Sequence, residues 1–203
     1  MFSLQDLLGQ QQGSQAVDQI SQTVNAEPNV VNSAIQMALP ALINGLANNA
    51  STPQGAESLN SALNQHDGGI LENMGGLGSL AGAILGGGQP ASPQLNAGGI
   101  LGHILGGNQG QVTQQISNQS GLNMGQVAQI MMILAPLVMG YLGRQKQQNN
   151  LDAGGISDIL GQQQQVIQQS PQGGFLSGML DGDGDGSITD DIASMAFKYM
   201  TNR

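Results

Sequence analysis

The sequence contains no cysteine and no tryptophan, and its aromatic residues are only three Phe and two Tyr. The absence of cysteine removes disulfides, thiolate metal sites and cysteine nucleophiles, and suits either redox environment. With so few rings, a core must be built from Leu, Ile, Val, Met and Ala, which helices pack well. Cations are equally scarce: Arg144, Lys146, Lys198 and Arg203 are the only ones in 203 residues. They form no basic stripe to neutralise phosphates, and there is almost no aromatic platform for bases, so nucleic acid is not an expected partner. The stretch from Met1 to Gln12 has no basic leader and no long apolar run, so it does not read as a signal peptide, and the cytoplasm is the expected compartment.

What stands in place of charge is amide. The chain carries 29 Gln and 16 Asn, with 32 Gly as punctuation, against a charged fraction of 8% and a net charge of -9. Such a surface hydrogen-bonds to water with little repulsion between copies, which favours self-association.

An internal repeat organises the chain. A shift of 96 residues superposes Gln19-Ile20-Ser21 on Gln115-Ile116-Ser117, Val31 on Val127, Ala34 and Ile35 on Ile130 and Met131, Pro40 on Pro136, and Leu46 on Leu142. The matched positions are chiefly apolar and at helical spacing. Each copy reads as a short amphipathic helix (Ala16 to Val24, Val112 to Ser120), a turn, and a longer apolar helix. Pro28 suits the first turn of one long helix, and Gly121 the end of the short helix before the other. Pro40 and Pro136 imply either a shared bend or a break between two shorter helices. Glycine-rich turns leading into short apolar helices recur at Asp67-Gly68-Gly69, Asn96-Ala97-Gly98-Gly99, Asp152-Ala153-Gly154-Gly155 and Gln172-Gly173-Gly174. Gly86 to Ser92 and Gln162 to Gly174 read as connectors. No period-two alternation is present, so the expected fold is all-α and multihelical: two pseudo-repeated units, residues 1–88 and 89–170, and a C-terminal piece, 171–203.

Other motifs carry less. Glycines recur at every fourth residue in Gly78, Gly82, Gly86, in Gly98, Gly102, Gly106 and in Gly174, Gly178, Gly182, a spacing that lets helices approach closely but also suits turns and helix ends. The apolar stretch Val127 to Gly143 is the best membrane candidate, but it is short of about 20 apolar residues and interrupted by Pro136; it is read as a buried central helix. His66 and His103 have no second His or Cys nearby for a zinc site, and no nucleophile elbow is present. No enzymatic activity is expected.

Gln19-Ile20-Ser21, the run Ala38-Leu39-Pro40-Ala41-Leu42-Ile43-Asn44-Gly45-Leu46, its second copy through Ala135-Pro136-Leu137, and the tail Phe175-Leu176-Ser177-Gly178-Met179-Leu180 leading into Asp181-Gly182-Asp183 resemble the YidB-like bacterial proteins of unknown function. The resemblance implies a multihelical fold and a bacterial origin, and brings no catalytic residues with it.

The tail holds the one stretch with site chemistry. Five of the 13 acidic residues lie between Asp181 and Asp191, so that without them the net charge falls from -9 to -4. Asp181, Asp183 and Asp185 have the spacing of the opening of an EF-hand loop, Gly186 supplies the turn, Ser187 a backbone carbonyl and Ile188 the apolar anchor. Hard oxygen donors at this spacing select calcium. The twelfth position, where a bidentate Glu closes such loops, holds Ile192, so closure falls to Asp190 or Asp191, and affinity is expected to be weak, about 10⁻⁵ to 10⁻³ M. The sequence thus predicts a non-enzymatic structural or interaction protein with a structural calcium loop, associating with itself. The alternative is an envelope or membrane-associated protein using residues 127–143 and the helices with glycine at every fourth residue.

Overall fold

A computed structural model describes residues 4–65 and 96–169. The described residues form α-helices and one 3-10 turn, with no strand among them. In chain order the helices are α1 (Leu4–Leu8), α2 (Gln10–Val24), α3 (Pro28–Asn49), α4 (Pro53–Gln65), α5 (Ala97–Leu105), α6 (Gln109–Ser120), α7 (Met124–Asn149) and α8 (Ala153–Gln168), with the 3-10 turn Gly106–Asn108 between α5 and α6. Residues 1–164 make one compact unit; of the second, 165–203, only the first five residues are described.

The helix ends have local causes. Helix α2 buries Ala16, Val17, Ile20 and Val24 along one stripe and stops at Asn25, whose left-handed backbone (φ 51°) lets the N–H of Ala26 reach back to the Ser21 carbonyl at 3.0 Å. Pro28 opens α3 at the position where a missing N–H costs nothing. Helix α7 begins with a reciprocal capping box: Asn123 Oδ1 accepts from the Gln126 N–H at 2.9 Å, and Gln126 Oε1 accepts from the Asn123 N–H at 3.0 Å. Pro40 and Pro136 sit inside unbroken helices, so neither marks a break. Each removes the helical donor to the carbonyl four residues earlier, that of Gln36 or Met132, and the packing around α3 and α7 outweighs that loss.

Helices α3 and α7 form the centre. They pack on each other, α6 lies on both, and α5 bridges α7 and α3. Ile35, Leu39 and Leu42 of α3 and Ile130, Met131, Ile133 and Leu134 of α7 are fully buried. Burying one such side chain contributes about 1.5–3 kcal/mol, so the pair accounts for much of the core. Buried residues ring both helices instead of following one stripe, the pattern of helices covered on most sides.

Two pairs of helix boundaries lie 96 residues apart, whereas the starts of α2 and α6 and the ends of α3 and α7 do not. Val24 and Ser120 close α2 and α6, and Pro28 and Met124 open α3 and α7. The paired positions Ala16 and Val112, Ile20 and Ile116, Val31 and Val127, and Leu42 and Val138 are all buried. Ahead of them, α1 and α5 each end before a glycine of positive φ, Gly9 (87°) and Gly106 (53°). The run Gln162 to Gln165 departs from the expected connector: it lies within α8. Gln is a good helix former, and its amide-rich composition was the misleading sign.

Candidate functional site

Helices α3, α4, α5 and α7 surround a pocket of about 460 Å³. The C-terminal end of α3 brings Leu46 and Asn49, α4 brings Ser58, Leu59 and Ala62, and α7 brings Met139. Asn96, Ile100, His103 and Ile104 come from α5 and its cap. Leu46, Leu59, Ile104 and Met139 are buried and make the apolar floor, while Asn49, Ser58, Asn96 and His103 are exposed at the rim.

Two features of the sequence seat α5 against α3. Gly45 lies where a Cβ would come within 2.6 Å of the Ile104 carbonyl oxygen, so the lack of a side chain is what lets the two backbones meet. Beside it, Asn49 Nδ2 donates to the carbonyls of His103 (2.6 Å) and Ile104 (3.2 Å), satisfying two acceptors in the last turn of α5 that have no helical partner. At the other end of α5, Asn96 Oδ1 accepts from the Gly99 N–H at 3.1 Å, an N-cap. The α4 wall is held from outside by Lys146, whose ammonium donates to the Asn60 carbonyl at 3.2 Å and to Asn64 Oδ1.

The glycines at every fourth residue along α5 and into the 3-10 turn do not serve close approach. A Cβ added at Gly98, Gly102 or Gly106 would meet nothing within 4 Å. Gly45 is a close-packing position, as is Gly55, where an added Cβ would meet the Asn49 carbonyl.

His103 is on the pocket rim, whereas His66 lies outside the described residues. The expected calcium ligands, Asp181, Asp183, Asp185, Ser187, Asp190 and Asp191, also lie outside them. Among the described residues no group of three or more His, Cys, Asp or Glu side chains could hold a metal ion. Sequence reasoning missed the pocket because its walls come from segments up to 93 positions apart, Leu46 to Met139, and no local pattern brings them together.

The bacterial family DUF937, described as being of unknown function, matches residues 6–145. The chain belongs to this family. The DUF937 match begins within α1 and ends within α7, so every described residue lining the pocket falls inside it, while the Asp181 to Asp191 stretch falls outside. No curated protein and no solved structure matches the chain.

Proposed function

We propose that this DUF937 protein is a non-enzymatic interaction module: its helical body takes an apolar group into the α3–α4–α5–α7 pocket, and copies of the chain associate with one another. The observation that carries this is the pocket itself, a concave apolar site with a few convergent polar groups, the usual form of a binding site. Association is supported by charge, because outside Asp181 to Asp191 the net charge is only -4 and amides dominate. The tail from Asp181 to Asp191 binds calcium as a structural ion, with Asp181, Asp183, Asp185 and Ser187 as ligands and Asp190 or Asp191 closing the loop. The helix units before and after the 96-residue offset descend from one duplicated sequence, and the protein acts in the cytoplasm.

Light scattering on the full chain after size exclusion, in calcium and in chelator, tests the association: a species larger than the 20.8 kDa chain is expected, and a monomer in both buffers rejects it. Calorimetry with calcium on the wild type and on an Asp183→Ala, Asp185→Ala double variant tests the loop; the variant loses the heat of binding, and identical traces end the idea.

A second reading has its own observation. Pro28–Asn49 and Met124–Asn149 are both long and apolar enough to cross a membrane, with mean hydropathies of 1.4 and 1.5 over their most apolar windows. Two-thirds of each window is buried within the protein, which favours their role as core helices. Recovery of the chain in the membrane pellet, resistant to salt and carbonate washing, would reverse that preference.

A further inference from the structure

The groups lining the pocket restrict what it can take. Its walls are Leu46, Leu59, Ala62, Ile100, Ile104 and Met139, and no carboxylate, ammonium or guanidinium lies among the described lining residues. The rim groups are partly engaged. Asn49 directs its Nδ2 to the α5 carbonyls and keeps Oδ1 as an acceptor. Asn96 gives its Oδ1 to the Gly99 N–H and keeps Nδ2 as a donor. Ser58 donates to the Gln54 carbonyl at 2.8 Å and keeps the acceptor side of its oxygen. Among the described residues the mouth therefore offers amide, hydroxyl and imidazole groups, while the interior offers carbon and the thioether of Met139, a side chain that adapts to irregular shapes.

Among the described lining residues no ammonium or guanidinium replaces the hydration that a phosphate or carboxylate would give up, and no carboxylate replaces that of an ammonium. A hydroxyl or carboxamide exchanges its water for the free amide and hydroxyl positions of the rim at little loss. Resting on the reading of the pocket as a binding site, we infer that its ligand is an uncharged amphiphile: an alkyl chain lies along Leu59, Ile104 and Met139, and a neutral hydroxyl or amide end hydrogen-bonds at Asn49, Asn96 and Ser58. The volume, about 460 Å³, lies within the range of about 300–1,000 Å³ usual for small-molecule sites.

The test is a titration of the full chain, labelled at its Leu, Ile and Met methyls, with decanol, decanamide, decanoate and decyltrimethylammonium at neutral pH, followed by nuclear magnetic resonance. Decanol and decanamide are expected to shift the methyls of Leu59, Ile100, Ile104 and Met139, and to bind at least about tenfold more tightly than either ion. Ser58→Trp, an exposed rim position, blocks the mouth and is expected to abolish those shifts without changing the melting curve. Ala62→Phe narrows the same space and replaces it if that variant does not fold. Binding of an ion as tight as that of decanol, lost in the blocked variant, overturns the uncharged class and leaves the pocket as a binding site. If none of the four moves these methyls, or if shifts persist in both variants, the pocket reading itself falls.

Discussion

At Gly45 the backbone of α3 runs against the last turn of α5, and the Cβ that any other residue would bring sits 2.6 Å from the Ile104 carbonyl oxygen. Gly45→Ala is therefore expected to push α5 outward and to lower stability by about 1–3 kcal/mol, the usual cost of overpacking. Gly102→Ala gives the opposite sign. Gly102 is within α5, an added methyl there meets nothing within 4 Å, and replacing glycine inside a helix stabilises by about 0.5–1 kcal/mol. Urea denaturation of the two variants beside the wild type reads both; equal and small effects would contradict the close approach. Asn123 gives a third residue-scale case. Its carboxamide is half of the α7 capping box, and Asn123→Ala should cost about 0.5–2 kcal/mol in the same experiment. The capping residues were partly legible beforehand: Pro28, Gly121 and Asn96 stand where their chemistry predicts. The role of Gly45 was not legible, because nothing in a sequence shows which carbonyl will face a glycine.

Among the described residues, the polar ties between elements come from amides, hydroxyls and one ammonium. Gln126 Nε2 donates to the Val24 carbonyl at 2.9 Å, joining α7 to the end of α2. Ser157 of α8 donates to the Ala50 carbonyl at 3.1 Å, and Gln164 Nε2 donates to Oδ1 of the buried Asn44 at 2.6 Å. Several acceptors are carbonyls at helix C-terminal ends, which lack a helical donor. A Gln or Asn side chain serves there as well as a charged group would, with less to desolvate. Lys146 is the ionic exception, seated on the Asn60 carbonyl and the Asn64 side chain near the end of α4. Lys146→Met keeps the aliphatic stem and removes the donors. The expected loss is about 0.5–3 kcal/mol, with hydrogen exchange speeding up first in α4; uniform exchange across all helices would show that the contact does not hold α4 in particular. The helix types were readable from apolar spacing. The extra length of α2 and α6, and the helical state of Gln162 to Gln165, were not, because polar turns continue a helix without showing an apolar period.

For the molecule as a whole, scarcity of charge has a measurable consequence. The long-range polar contacts above are mostly neutral, and salt screens only charges. The melting temperature of the calcium-free chain is therefore expected to shift by no more than about 2 °C between low and molar sodium chloride, since surface ion pairs are worth little even where present. A large rise with salt would point to repulsion among the remaining carboxylates as a significant part of the stability balance.

The sequence by itself determined the helical class, the apolar pairs 96 residues apart, some of the capping positions and the expectation of a nearly neutral, amide-rich body. These follow from local spacing and from composition, which act wherever a residue sits. Only the tertiary structure decided that α3 and α7 run unbroken through their prolines, that α5 crosses α3 at Gly45, and that Leu46, Leu59, Ile104 and Met139 share one pocket. Those outcomes depend on which surfaces meet once the chain is packed, and amide and glycine, being compatible with many neighbours, leave few marks in the sequence of the partner they will have.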